Sequence, residues 1–338
     1  MKVLVCDNEF SGWENARSNP EQYVGRPLES LAKYHADFFG LASWFERADD
    51  VDFKSYDLIW IYLGHRSMQP AWYCYPRLIR QKAPNAKIVF NVDYEGFWHE
   101  KALDLRFKES FECADVMHVI TRWGEEYFKK RLSIPVYYGH LGRPHSGGIK
   151  APDWIPFPKR KRKSICFIRH TNVPSILTEM EIIKKMNAYS IGIDSIPPPF
   201  SDGRYLSYLA RIYNIKGDFY PRLPFPDYLR IIGQCSIALC NHVGISRFAW
   251  ECAVCGVPVV HSDLSEWGNN LFPSLTVPHG NISKFCEMIE TFKRKKHEYK
   301  YSILESAKKL MDTQYGFDMC QNRLDELING VMKNEFAR

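Results

Sequence analysis

The residues between positions 241 and 247 combine the side chains that proteins use to bind a phosphorylated ligand. Five of them are polar, basic or glycine: Asn241, His242, Gly244, Ser246 and Arg247. They follow a short apolar run and lead into a segment with helical spacing. The first N–H groups of a helix are unpaired and carry the positive end of its dipole, which suits a diphosphate. Arg247 can add paired hydrogen bonds to phosphate oxygens.

Two further charged residues belong to the same predicted site. Glu251 lies one to two turns into the predicted helix, after Trp250 and before the apolar run 252–254. These neighbours predict a packed helix with one carboxylate facing a ligand, although a solvated helix face would also accommodate a glutamate. Arg169 ends another apolar run, and its guanidinium is a second candidate for pairing with phosphate oxygens.

The first half of the chain carries candidates for acid–base chemistry. Asp93 and Glu95 come directly after the apolar run Lys87–Val92, and His65 follows Leu58–Leu63 in the same way. A general base must reach the reacting hydroxyl within about 2.6–3.2 Å, directly or through one water. Asp93 or Glu95 fits that role, but a hydrogen-bonded loop carboxylate is an open alternative. His65 is a weaker candidate, because single histidines are commonly structural.

Short apolar runs alternate with amphipathic segments along the chain, which predicts parallel α/β sheets with helices on both faces. The predicted strands are Lys2–Cys6, Leu58–Leu63, Lys87–Val92, Val116–Thr121, Val136–Tyr138, Ile165–Ile168, Tyr189–Ile193, Asp218–Tyr220, Ser236–Cys240, Val257–His261 and Leu275–Val277. The predicted helices are Leu28–Phe45, Trp72–Ile79, Gly124–Arg131, Ile176–Met186, Tyr205–Tyr213, Tyr228–Ile232, Phe248–Cys255 and the region from Ile282 onward.

The alternation stops between Gly139 and Lys163, a region rich in glycine and proline that ends in five consecutive basic residues. We therefore predict one α/β domain over residues 1–145, a basic linker over 146–163 and a second α/β domain over 164–315. We predict a terminal helix over residues 316–338. Two such domains place a ligand cleft at the carboxyl ends of their strands.

Composition narrows the class of protein. Of the 338 residues, 45% are hydrophobic and 25% charged, which excludes a disordered or collagen-like chain. The apolar runs fall far short of the ~20 residues of a transmembrane helix, and the amino terminus lacks the pattern of a signal peptide. Ten dispersed cysteines fit a reducing compartment, so we expect a cytoplasmic protein. Cys252 and Cys255 have no second pair to complete a zinc site, and no metal is predicted.

The segment from Glu251 to Val260, Glu-Cys-Ala-Val-Cys-Gly-Val-Pro-Val-Val, resembles the donor domain of GT-B glycosyltransferases. The resemblance is to the large retaining group that uses nucleotide-sugar donors. Segments 228–239 and 275–290 resemble its neighbouring helix and strand units, and 114–131 resembles the last unit of its acceptor domain. The resemblance implies two Rossmann-like domains facing a central cleft, with a hexosyltransferase activity.

The resemblance also implies partners and roles. The second domain would bind a nucleotide-diphosphate sugar as co-substrate, with a UDP-sugar favoured, and Glu251 would accept both ribose hydroxyls. The first domain would bind the acceptor, and the terminal helix would pack back toward it. No cofactor and no metal would be needed, because helix dipoles and basic side chains neutralise the leaving diphosphate. Inverting members use a carboxylate base such as Asp93 or Glu95, whereas retaining members do not require one.

Three positions depart from the family pattern. Val243 stands where the family has a glutamate that touches the donor sugar, and Pro174 stands where a basic residue follows Arg169. Ser11-Gly12-Trp13 replaces the glycine pair near the amino terminus. Asn241 and His242 are therefore the candidates for donor-sugar contacts.

Several alternatives stay open at this stage. The acceptor could be a glycan, a lipid or DNA with hydroxymethylated bases, as in some viral GT-B enzymes. The basic run 159–163 and the aromatic residues of segments 72–75 and 97–98 would suit DNA, but also sugar stacking or core packing. Because Val243 replaces the family's glutamate, a catalytically inactive binding protein is a further alternative. A Rossmann NAD enzyme is disfavoured, because neither half carries Gly-x-Gly-x-x-Gly after its first strand.

Overall fold

The computed structural model describes residues 1–7, 13–14, 31, 34–63, 73–92, 108–139, 164–169, 173–194, 204–242, 247–314 and 317–336. The chain divides into two compact units. The first unit comprises Met1–Gly148 and Gln314–Arg338, and the second comprises Ile149–Thr313. The predicted linker 146–163 lies outside the described residues.

The first unit contains one mainly parallel sheet. Its strands are β1 (Val3–Asp7), β2 (Trp13–Glu14), β3 (Asp37–Gly40), β4 (Leu58–Leu63), β5 (Lys87–Val92), β6 (Val116–Val119) and β7 (Val136–Tyr138). Their order is β2-β3-β1-β4-β5-β6-β7, and β2 runs antiparallel to β3. Its helices are α1 (Trp44–Arg47), α2 (Tyr75–Lys82), α3 (Lys108–Phe111), α4 (Arg122–Lys129) and α12 (Phe317–Met332).

The central strand β4 shows why both faces of this sheet are covered. All six of its residues are buried, and successive side chains point to opposite faces. Ile59, Ile61 and Leu63 join the core on one face, whereas Leu58, Trp60 and Tyr62 join the core on the other. Apolar residues at every position of a strand are typical of such doubly covered parallel sheets.

Helix α12 covers one face of the sheet of the first unit. Its buried side chains follow the helical spacing i, i+3, i+4, i+7: Leu324, Leu327, Ile328 and Val331. They pack in the same core as Val3, Val5 and Trp60 of the sheet. The carboxyl-terminal helix is therefore an integral layer of the first unit.

The second unit contains a sheet in which all the described pairings are parallel, with the order β10-β9-β8-β11-β12-β13. Its strands are β8 (Ile165–Arg169), β9 (Ser190–Asp194), β10 (Gly217–Tyr220), β11 (Ile237–Cys240), β12 (Val259–Ser262) and β13 (Thr276–Val277). Its helices are α5 (Val173–Met186), α6 (Tyr205–Tyr213), α7 (Phe225–Gly233), α8 (Arg247–Val254), α9 (Glu266–Leu271), α10 (Ile282–Arg294) and α11 (His297–Gln314).

Local sequence signals fix the ends of several of these helices. The Ser265 side chain accepts a hydrogen bond from the N–H of Gly268 and caps α9, and Asn281 caps α10 in the same way. Gly256 follows α8 with φ of 66°, a left-handed conformation that glycine adopts without strain. Pro258 then prevents the helix from continuing, so the chain enters β12 directly.

The predicted α/β class is confirmed, but one of the predicted helices is wrong in part. The helix predicted over Leu28–Phe45 is wrong at Asp37–Gly40, which is the strand β3 paired with β1. The region from Ile282 onward is helical as predicted and divides into α10, α11 and α12, whereas the helix α9 was not predicted. No helix in the described part of the chain is long and apolar enough to cross a bilayer.

Candidate functional site

The strands β11, β12 and β13 are neighbours in the second sheet, so the residues at their carboxyl ends share one edge. We call these residues the strand-end cluster: Asn241, His242, Ser262, Asp263, His279 and Gly280. Hydrogen bonds connect the three strand ends, and two members of this group, Asn241 and His242, are the predicted donor-sugar contacts. This edge is where α/β sheets commonly bind ligands.

Asn241 is held at both its main chain and its side chain. Its N–H donates to Oε1 of Glu179 over 2.9 Å, and its Oδ1 accepts from the N–H of Gly280 over 3.0 Å. Because a backbone N–H can only donate, the bond from Gly280 fixes which side-chain atom of Asn241 is the oxygen. Asn241 is 1% exposed. Its side-chain oxygen therefore joins the end of β11 to the turn after β13.

Ser262, at the end of β12, connects His242 after β11 with His279 after β13. Its hydroxyl donates to the carbonyl oxygen of His242 over 2.9 Å and accepts from the N–H of Leu264. Nδ1 of His279 lies 3.2 Å from the hydroxyl oxygen of Ser262, and the main-chain N–H of His279 donates to Oδ1 of Asp263 over 2.8 Å. Since the hydroxyl proton of Ser262 points to His242, Nδ1 of His279 acts as a donor. The exposed His279 is thus oriented by two bonds.

Glu251 lies inside the second unit and not on a solvated helix face. Its side chain is 1% exposed, and Oε2 accepts a hydrogen bond from the hydroxyl of Tyr228 on α7. Burial and the adjacent carboxylate raise the pKa of Tyr228 well above its usual value, so its hydroxyl stays protonated and donates. The side chain of Glu251 is therefore oriented by a residue 23 positions earlier in the chain.

Replacing Tyr228 by phenylalanine is expected to destabilise the second unit by about 1–3 kcal/mol, because a buried carboxylate loses a hydrogen-bond donor. Urea unfolding of the purified variant measures this change. Tyr208→Phe is the matched control, since Tyr208 is 62% exposed on α6. Equal unfolding free energies for the two variants would show that the Tyr228 hydroxyl contributes nothing.

Glu179 is a buried residue of this region that is not among the residues predicted from the sequence. It lies on α5 and is 1% exposed, and it holds the main chain at Asn241. Burial raises the pKa of its carboxyl to about 8, although the hydrogen bond from Asn241 acts in the opposite direction. Its Oε2 has no hydrogen-bond partner within the described ranges. A signal existed in the sequence, namely a charged residue between the apolar positions Ile176, Met180 and Ile183.

Two of the predicted phosphate-binding residues, Arg169 and Arg247, lie in the described backbone. Arg169 is the last residue of β8 and pairs in register with Asp194 at the end of β9. Arg247 is the first residue of α8. Gly244, Ser246 and the departure at Val243 lie outside the described residues, in the segment between β11 and α8.

The acid–base candidates Asp93, Glu95 and His65 lie outside the described residues. Their sequence positions follow β5 and β4, which are neighbours in the first sheet.

A buried histidine on the neighbouring strand β6 of the first unit is structural. His118 is 1% exposed, and its Nδ1 accepts from the amide of Asn91 over 2.6 Å. Its Nε2 donates to the carbonyl oxygen of Gly139 over 2.8 Å. These two bonds fix the neutral tautomer and tie β5, β6 and the end of β7 together.

Part of the aromatic segment 72–75 belongs to the core. Tyr73 and Tyr75 are 8% and 5% exposed and pack in the hydrophobic core of the first unit. Tyr75 also donates its hydroxyl to the carbonyl oxygen of Leu41. For these two residues, core packing accounts for the aromatic side chains. Trp72, Phe97 and Trp98 lie outside the described residues.

Comparison with solved structures defines the fold of the chain as GT-B, the two-domain fold of many nucleotide-sugar glycosyltransferases. An alpha,alpha-trehalose 6-phosphate synthase from Burkholderia multivorans aligns with a TM-score of 0.70 at 10% identity, over 99% of this chain and 97% of the other. The GT-B fold predicted from the sequence is confirmed.

Two other structures show the same similarity. An E. coli structure described as trehalose-6-phosphate bound with UDP-2-fluoro glucose aligns with a TM-score of 0.69 at 10% identity, over 98% and 99% of the two chains. A glycosyltransferase from Rickettsia africae ESF-5 aligns with a TM-score of 0.65 at 12% identity, over 98% of this chain and 99% of the other. No protein-family model and no curated protein sequence matches the chain.

Proposed function

We propose that this protein is a glycosyltransferase of the hexosyltransferase class that moves a sugar from a nucleotide-diphosphate donor to a hydroxyl acceptor. A UDP-sugar is the favoured donor, and a glycan or a lipid is the favoured acceptor. The structural neighbours support this choice, since one is bound to UDP-2-fluoro glucose and another, from Burkholderia xenovorans, is described as UDP-forming.

The observation that carries the proposal is the placement of Glu251. It lies on α8, the helix that follows β11 and precedes β12 along the chain, in the segment that resembles the family's donor domain. A buried carboxylate is costly unless hydrogen bonds compensate it, and Tyr228 provides one. In the proposed role the carboxylate, once oriented in this way, accepts both hydroxyls of the donor ribose.

The donor's diphosphate would be bound by the amino-terminal end of α8 together with Arg247 and Arg169. Unpaired N–H groups and guanidinium groups stabilise the negative charge that develops as the nucleotide leaves, without a metal ion. The sugar contacts that the family makes through its first glutamate would fall to His242 or to neighbouring residues.

On the acceptor side, Asp93 or Glu95 would remove the proton from the acceptor hydroxyl in an inverting reaction. His65, which follows the neighbouring strand β4, would be a further catalytic candidate. A retaining reaction would not require that base. DNA with hydroxymethylated bases remains a second acceptor to test, and so does a binding protein without activity. Measured transfer distinguishes these alternatives.

The first experiment is a thermal-shift screen against UDP, GDP, ADP, CMP, their sugars and NAD. We expect UDP and UDP-glucose to raise Tm by several degrees when present at about 100 times Kd, because such a ligand stabilises the folded state by about 2.7 kcal/mol. Glu251→Ala should weaken UDP binding by about 1–3 kcal/mol through loss of a charged hydrogen-bonding group. Glu181→Ala, at an exposed position on α5, is the control.

A shift with NAD alone, or none with any nucleotide diphosphate, would contradict the proposed donor site. Full UDP affinity in a folded Glu251→Ala variant would contradict the ribose assignment. Once the donor is known, offering the matching sugar to glycan, lipid and hydroxymethylated DNA acceptors identifies the reaction. Binding without transfer to any of them, and without donor hydrolysis, would favour the inactive binding protein.

A further inference from the structure

The carboxyl group of Glu179 occupies a place where an apolar side chain would be more stable. The buried face of α5 carries Ile176, Met180 and Ile183, each at most 2% exposed. Glu179 lies three residues after the first and four before the last, so it shares their helix face. An incompletely hydrogen-bonded carboxyl in such surroundings reduces stability. Its presence therefore needs a reason other than core packing.

The hydrogen bonds of Glu179 connect it to the end of β11. Its Oε1 accepts from the N–H of Asn241, and Oδ1 of Asn241 accepts from the N–H of Gly280. This chain of two bonds joins α5, the end of β11 and the turn before α10. Burial raises the pKa of Glu179 to about 8, so at neutral pH it acts as an uncharged acceptor through Oε1.

The main chain at Asn241 is the start of the segment that connects β11 with α8. Asn241 and His242 are the first two residues after β11, and α8 begins at Arg247. A shift of the main chain at Asn241 would move the end of β11, at the sheet edge where the proposed donor site lies. Small displacements of groups that bind a ligand reduce affinity strongly.

We propose that Glu179 is a positioning residue of the donor site, which fixes the main chain at Asn241 and, through the Asn241 side chain, the turn at Gly280. This inference rests on the proposed function. It assigns a positioning role to Asn241 as well, because the side-chain oxygen of Asn241 is bound to Gly280. Direct contacts with the donor sugar then fall to other residues.

The test compares UDP binding and thermal stability in three variants. Glu179→Gln keeps an uncharged oxygen acceptor for the N–H of Asn241, so its Kd for UDP should stay within about twofold of that of the parent protein. Glu179→Leu removes the acceptor and fills the apolar site. Its Kd for UDP should rise about tenfold, the equivalent of one lost hydrogen bond. Glu181→Gln, at an exposed position of the same helix, should change neither quantity.

The separation of affinity from stability is the decisive result. A merely structural residue would lose affinity only together with stability, whereas we expect Glu179→Leu to keep or raise Tm while it binds UDP more weakly. Unchanged UDP affinity in Glu179→Leu would overturn the inference, and so would an equal loss of affinity in Glu179→Gln. If the parent protein binds UDP normally, the proposed function stands in either case. If the parent binds no nucleotide diphosphate, both are overturned.

Discussion

Deleting residues 317–338 is expected to unfold the first unit. The deletion removes α12, whose four buried aliphatic side chains are Leu324, Leu327, Ile328 and Val331. Full burial of one such side chain contributes about 1.5–3 kcal/mol, so the four together contribute roughly 6–12 kcal/mol. This is comparable with the total stability of a domain, about 5–15 kcal/mol. The deletion also exposes Val3, Val5 and Trp60 on the sheet.

Limited proteolysis of the truncated chain measures this effect. We expect rapid cleavage within residues 1–148 and survival of a fragment that corresponds to the second unit, 149–313, whose sheet and helices do not include α12. Leu327→Ala in the full chain should cost about 2–5 kcal/mol, as for other large-to-small core substitutions. Asn329→Ala, at an exposed position of the same helix, is the control. Native-like protease resistance of the truncated first unit would show that α12 is dispensable.

The sequence was sufficient to predict the fold class, because most strands are continuous apolar runs between amphipathic helices. The predicted helix Tyr205–Tyr213 and strand Val136–Tyr138 have the same bounds in the structure. Strands buried on both faces cannot be confused with polar loops, and their length separates them from helices. The resemblance around Glu251 then restricted the α/β class to GT-B.

The strand β3 could not be predicted from local pattern. Its sequence, Asp-Phe-Phe-Gly, is only four residues long and lies within a segment whose apolar residues have helical spacing. What makes it a strand is its pairing with β1, in which Val5 lies opposite Phe38 and Cys6 opposite Phe39. Such long-range pairing overrides local preference, and a single sequence carries no record of it.

Residues of the candidate site could be predicted from the sequence, but their hydrogen bonds and their burial could not. The motif identifies Glu251, yet its bond with Tyr228 and its burial depend on how α7 packs on α8. Asn241 was selected as a donor contact because it follows a strand, whereas its bonds to Glu179 and Gly280 emerge only from the folded sheet. Polar residues at strand ends can bind a ligand or hold the main chain, and only the three-dimensional contacts distinguish the two.

The substitution Glu179→Gln is expected to reduce the pH dependence of the free energy of unfolding. The pKa of Glu179 rises from 4.5 to about 8 in the folded protein. Below about pH 4.5 the carboxyl is protonated in both states and has no effect on the pH dependence. Between these two values only the folded state holds the proton, so stability falls as pH rises, by up to about 1.4 kcal/mol per pH unit. Above about pH 8 the loss is complete.

Urea unfolding of the parent protein and of Glu179→Gln at pH 5, 6, 7 and 8 measures this contribution. Glutamine does not titrate, so the stability of the variant relative to the parent should increase with pH, by at most about 4 kcal/mol across this interval. Taking the difference between the two proteins cancels the titration of the histidines, which both retain. Glu181→Gln should give a difference that does not vary with pH, since Glu181 is exposed. A pH-independent difference for Glu179→Gln would mean that Glu179 is ionised in the folded protein, in which case the bond to Asn241 is made by a carboxylate.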